Sequence, residues 1–137
     1  MEKTLILYPA IGMMVLTLFV YAKSYFNFVK AKKSNAIKFS YFKTYQGEAP
    51  DYVNVSRQTL KNQFELPIFF YFLISIILVF DKVSQLDLIL AWIFVASRYL
   101  HCYIRLSANY VPHRAIVFTS GMLVLIVWWI IFLYNIL

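Results

Sequence analysis

Four stretches of apolar residues, separated by shorter polar segments, outline this chain, and the second is the most informative. From Leu66 to Phe80 no residue is charged, yet the run falls short of the about 20 helical residues that a hydrocarbon core of roughly 30 Å requires. The helix must therefore extend back through Arg57-Gln-Thr-Leu-Lys-Asn62-Gln-Phe-Glu65. Gln58, Asn62 and Glu65 are spaced i, i+4, i+7 and so fall on one helical face at membrane depth or its edge. An ionisable group there is costly and points to function. Pro67 lies inside this expected helix, where it removes a backbone donor and bends the axis.

The remaining runs give three more helices. Thr4 to Ala22 carries no charge and begins a first spanning helix whose far end is the basic stretch Lys23 to Lys33, with Pro9 and Gly12 as kink or close-packing points. Met1-Glu2-Lys3 is too little for a signal-peptide n-region and no small-residue cleavage site precedes the charged flank, so this helix is expected to be retained. Ser34 to Asn54 is polar and turn-prone, which puts the start of the second helix near Val55 or Ser56. The short acidic turn Asp81-Lys-Val-Ser-Gln-Leu-Asp87 leads into a third helix over Leu86 to Leu106. After a turn at Asn109-Tyr-Val-Pro-His-Arg114, a fourth helix is expected from Ala115 to Leu137, with Trp128 and Trp129 near a membrane interface.

Composition places the whole chain in one class. Its 137 residues are 62% hydrophobic with only three glycines, which implies a single all-α integral membrane domain over 1–137, a four-helix bundle. The net charge of +7 comes mostly from lysines between Lys23 and Lys43, and positive-inside bias explains them more simply than nucleic-acid binding does. The first and third connections are thus assigned to the cytoplasm and both termini to the opposite side. The single Cys102, with no CxxC spacing, implies neither a disulfide framework nor a metal site.

The candidate chemistry lies where polar residues converge at the basic end of the bundle. Asn62 and Glu65 on the second helix, Arg98, His101 and Arg105 (i, i+3, i+7) on the third, and Arg114 at the start of the fourth share that level. Arginines match carboxylates in bidentate fashion and a glutamate holds an ammonium, so the set suits a small, multiply charged ligand. An arginine beside a thiol also favours its thiolate, and the apolar helices offer a lipophilic second substrate a route from the bilayer. Each piece has a plainer explanation. Arg57, Lys61 and Arg114 serve equally as anchors that snorkel to headgroups, His101 as a structural histidine, and Glu65 as the i, i+4 partner of Lys61. The aromatic residues Phe64, Phe69, Phe70, Tyr71 and Phe72 fit lipid contact or packing as well as a binding platform.

The segments Arg57-Gln-Thr-Leu-Lys-Asn62-Gln-Phe-Glu65-Leu-Pro, Arg98-Tyr-Leu-His101 and Asn109-Tyr-Val-Pro112-His-Arg114 resemble the signature segments of the MAPEG proteins, the membrane-associated proteins of eicosanoid and glutathione metabolism. The resemblance covers nearly the entire chain in length, helix count and motif order. It implies a homotrimer of four-helix protomers in a membrane, here a bacterial inner membrane, with glutathione held in clefts between subunits that open to the cytoplasm. By this resemblance Asn62 and Glu65 contact the peptide, Arg98 and His101 are the helix-three pair, Arg114 faces the thiol, and Lys30 is the basic contributor from the first helix. Gln58 and Arg105 complete the implied binding set, although both depart from the pattern: Gln58 stands where characterised eukaryotic members have arginine, and Arg105 where they often have tyrosine. Ala115 and Phe118 replace the serine and tyrosine of the prostaglandin synthase branch, which argues against that chemistry.

The expected function is a glutathione-dependent transferase or peroxidase acting on lipophilic electrophiles or lipid hydroperoxides, with Arg114 and Arg98 stabilising the thiolate. The competing expectation is a non-catalytic membrane scaffold that binds an anionic lipid headgroup or a partner membrane complex.

Overall fold

The computed structural model describes residues 3–136. A short 3-10 turn, Lys3–Ile6, leads into α1 (Leu7–Lys33); α2 (Tyr41–Thr44) sits in the first connection; α3 (Asp51–Asn62) and α4 (Leu66–Val79) together make the second crossing; α5 (Gln85–Leu106) and α6 (Val111–Ile136) make the third and fourth. Four stretches are long and apolar enough to span a membrane: Lys3–Lys33, Asp51–Val79, Gln85–Leu106 and Val111–Ile136. Their outer faces agree with that role, since Phe19, Val79 and Tyr134 are exposed, a burden that lipid relieves and water does not.

Residues from all four crossings meet in one core. Met13, Leu16 and Val20 of α1 pack with Phe70, Leu73 and Ile77 of α4, Phe94 of α5 and Trp128 of α6. Phe70 stacks on Phe94 with centroids 4.8 Å apart and meets Trp128 edge-on at 6.0 Å. Trp128 is therefore not an interfacial anchor. It is fully buried and donates from Nε1 to Asp87 Oδ1 at 2.6 Å. Asp87 in turn closes a capping box with Ser84, whose Oγ accepts from the Asp87 backbone N–H at 3.2 Å while Asp87 Oδ2 accepts from the Ser84 N–H at 2.8 Å. The start of α5 and the far half of α6 are thus tied through one carboxylate.

The first helix ends at Lys33, as expected, and at 1.5 Å per residue is about 40 Å long, so its lysine-rich end projects past a hydrocarbon core of about 30 Å. Two boundaries differ from the sequence expectation. Helix α3 starts at Asp51 because Pro50 sets the chain just ahead of the first turn and an acidic residue there suits the positive end of the helix dipole. Helix α6 starts at Val111, with Pro112 in its first turn where no backbone donor is needed, and this makes Arg114 a helical residue. Ser34–Pro50 is not merely a polar connection: Ile37 and Tyr41 pack with Ala31 and Val53 into a small second core.

Helices α5 and α6 pack tightly at Gly121. A Cβ added there would lie 2.4 Å from Ser97 Oγ and 3.3 Å from Ser97 Cβ. We expect Gly121→Ala to lower stability by on the order of 1 kcal/mol, read as the unfolding midpoint in detergent, and Ser97→Ala to recover part of that loss. Equal midpoints for wild type and Gly121→Ala would show that the helices yield at this contact.

Candidate functional site

The site begins with the consequence of Pro67. Its ring nitrogen offers no hydrogen to the carbonyl of Gln63, the ring clashes with that carbonyl, and the preceding Leu66 is disfavoured inside a helix. The expected bend is instead a complete interruption. Helix α3 closes in 3-10 fashion, with Gln63 N–H on Leu60 O and Phe64 N–H on Lys61 O, both at 3.0 Å, and α4 restarts at Leu66 with Pro67 in its first turn. Gln63, Phe64 and Glu65 lie between the two helices.

An interrupted helix at membrane depth leaves backbone groups to satisfy, and α5 presents polar side chains one turn apart, the first to a backbone carbonyl and the others to side chains. Arg98 Nη2 donates to Asn62 O at 3.3 Å, Gln63 Nε2 donates to Cys102 Sγ at 3.0 Å, and Arg105 Nη2 donates to Gln58 Oε1 at 2.6 Å. The Asn62 amide, assigned with its oxygen toward Arg105, accepts from Arg105 Nη1 and donates to Glu65 Oε2 and Gln58 O, each at 3.2 Å. Gln58, Asn62, Glu65 and Arg105 therefore form one network, even though Glu65 is no longer helical.

This network faces a cavity of about 870 Å³ between α1 and α3. Arg57, Lys61 and Arg105 bring three cations to its lining against the single carboxylate of Glu65. The opposite wall is Tyr21, Ser24, Tyr25 and Phe28 of α1, one helical stripe at i, i+3, i+4, i+7. The Ser24 hydroxyl is buried there without a protein partner. Tyr45 of the first connection closes one side: its backbone is left-handed at φ 55°, and Arg57 holds it by donating from Nη1 to Tyr45 O at 3.0 Å with its guanidinium 5.3 Å from the ring centre.

The other candidates lie outside this lining within one protomer. Arg98 is buried at 1% exposure, with Nε and Nη1 unpartnered and its guanidinium 5.3 Å from the Phe118 ring centre. His101 is also buried and lies against the same ring at 5.5 Å. Arg114 is half-buried and donates from Nη1 to Asn109 Oδ1 at 2.7 Å. Lys30 lies 5.2 Å from the ring centre of Tyr52. The pairing of Lys61 with Glu65 is absent, because the interruption falls between them; among the described residues the one ion pair joins Lys3 to Asp81. Sequence reasoning missed the α1 stripe, Tyr45, and Arg57 and Lys61 as lining residues. The spacing of Tyr21, Ser24, Tyr25 and Phe28 was the available signal, hidden among other aromatic residues of α1 that face outward.

The residues present fit a small peptide with carboxylates and an ammonium: cationic donors predominate, Glu65 supplies one anionic acceptor, and Ser24 has hydrogen-bonding capacity to spare. The model of the MAPEG family matches residues 6–134. No curated protein and no solved structure gives a match.

Removing the guanidinium that satisfies Asn62 O should loosen the interruption. Arg98→Met is expected to cost about 1–3 kcal/mol in detergent unfolding, the range for a stranded buried polar group. Since the buried guanidinium is itself incompletely bonded, a more stable Arg98→Met protein would show that desolvation outweighs the bond.

Proposed function

The chain belongs to the MAPEG family, and on that premise we propose that this integral membrane protein is a glutathione-dependent transferase or peroxidase acting on lipophilic electrophiles or lipid hydroperoxides. The observation that carries the reading is the cavity at the helix interruption, where Asn62 and Glu65 are networked to Arg105 beside Arg57 and Lys61. Glutathione supplies a nucleophilic thiol when bound. Glu65 takes the ammonium, the lining cations take the carboxylates, and Asn62 with Gln58 holds Arg105 in place.

The thiolate is assigned to Arg114, supported by Arg98. Neither arginine has a carboxylate partner among the described residues, so each has charge left to stabilise an anion. Within one protomer Arg114 stays outside the cavity, and its role therefore requires the homotrimer, in which the first turn of α6 from one copy closes the cavity of the next. His101 and Lys30 flank this arrangement, His101 by supporting Arg98 against Phe118 and Lys30 by adding charge where α1 meets α3. The lysine-rich connection and the cavity mouth face the cytoplasm.

The second reading, a non-catalytic scaffold for an anionic lipid headgroup, draws on Phe39, which is 75% exposed beside Lys38 and Lys43 in the first connection. Thermal unfolding in detergent separates the two. Glutathione at 100 times its Kd should stabilise the protein by about 2.7 kcal/mol under the first reading, whereas stabilisation by phosphatidylglycerol alone supports the second. Arg114→Ala is expected to lower turnover about 100-fold, in line with removing one transition-state donor, with little change in glutathione affinity; unchanged turnover would take Arg114 out of the catalytic role.

A further inference from the structure

Arg114 lies in the first turn of α6, and the side chain that meets its guanidinium comes from the turn before it. Asn109 has a left-handed backbone at φ 49°, and its N–H donates to Ile104 O at 2.8 Å, which ties it to the last turn of α5. From there its Oδ1 accepts from Arg114 Nη1 at 2.7 Å. The residue that holds the guanidinium is thus fixed by the end of one helix and grips the start of the next.

Backbone geometry explains an Asn or Asp here, since these are the side chains that best tolerate the left-handed region. It does not explain why the residue is asparagine. An aspartate would bind the guanidinium more strongly, through a charge-assisted pair. The chain makes that choice at the opposite end of the bundle, where Asp81, also left-handed at φ 58°, forms an ion pair with Lys3. At the α5–α6 turn the amide holds a cation without cancelling its charge. Arg105 and His101 of α5, within electrostatic reach of Arg114, add no negative charge, and His113 beside it is turned against the Tyr110 ring at 4.7 Å. We propose that Asn109 is the positioning residue for Arg114: it fixes the guanidinium in place and leaves its full charge to a bound thiolate. The thiol proton leaves to water, and neither residue takes it up. This role rests on Arg114 being the thiolate's partner.

Two substitutions separate grip from charge, and both suit a left-handed backbone. Asn109→Asp keeps the grip and adds a negative charge, while Asn109→Gly keeps the backbone and drops the grip. Ionisation of glutathione bound to the purified full-length protein, followed as ultraviolet thiolate absorbance against pH, is a readout that a merely structural turn residue would not move. Asn109→Asp should shift that ionisation up by about one pH unit, because the added carboxylate opposes a second anion. Turnover with chlorodinitrobenzene should then fall up to about tenfold near neutral pH and recover as the pH rises. Asn109→Gly should lower kcat about tenfold with little change in KM for glutathione. Bound glutathione that ionises at the same pH in wild type and Asn109→Asp overturns the proposal. So does a wild-type kcat in Asn109→Gly, which decides the matter where the aspartate variant misfolds. Calorimetry on the same preparations separates this role from the reading beneath it: glutathione binding with an unmoved ionisation removes Asn109 alone, whereas no glutathione binding to wild type removes the thiol site and this role with it.

Discussion

The structure depends on a proline placed where the second crossing cannot do without a backbone hydrogen bond. Pro67 denies Gln63 O its donor, and the chain resolves the conflict by ending one helix at Asn62 and starting another at Leu66. In water such an interruption is readily solvated. Within a helix bundle its freed groups need partners from neighbouring helices; Arg98 of α5 reaches one of them, Asn62 O, while Cys102 and Arg105 bond the side chains of Gln63 and Gln58. Beside that contact Arg105 joins the Gln58 and Asn62 side chains, and Asn62 joins Glu65, at the edge of a cavity, so the interruption and the candidate chemistry share Asn62.

This sharing explains why two buried arginines are tolerated without carboxylate partners. Arg98 satisfies a helix-end carbonyl and lies over Phe118, while Arg105 spans two side-chain amides. Both keep donors or charge uncommitted, which is costly for stability alone and useful for holding an anion. The opposite end of the bundle is built differently: Asp87 is enclosed by a capping box and the Trp128 indole, so its oxygens are used structurally.

Much of this was legible in the order of residues, and the failures have physical causes. The third helix was placed within one residue because the short acidic turn from Asp81 to Asp87 marks the reversal and an apolar run follows it directly. The i, i+4, i+7 relation of Gln58, Asn62 and Glu65 correctly grouped them, although the interruption rather than a continuous helical face brings Glu65 in. Spacing also grouped Arg98, His101 and Arg105, but it encodes direction around a helix and not depth, so it did not separate Arg105 at the cavity from Arg98 and His101 behind it. Trp128 turns inward to Asp87 and not outward to headgroups, a choice the sequence leaves open because an amphipathic indole suits a membrane interface and a buried carboxylate equally well. The α1 wall was lost among aromatic residues whose outward and inward faces look alike in composition.

The most direct test is calorimetric titration of glutathione into purified protein, comparing wild type with Glu65→Ala. The proposal that the cavity at the helix interruption holds a peptide thiol predicts saturable binding that weakens when its lining carboxylate, Glu65, is removed. A cooperatively unfolding wild-type protein that takes up no glutathione would contradict the account, and binding untouched by Glu65→Ala would place the thiol elsewhere.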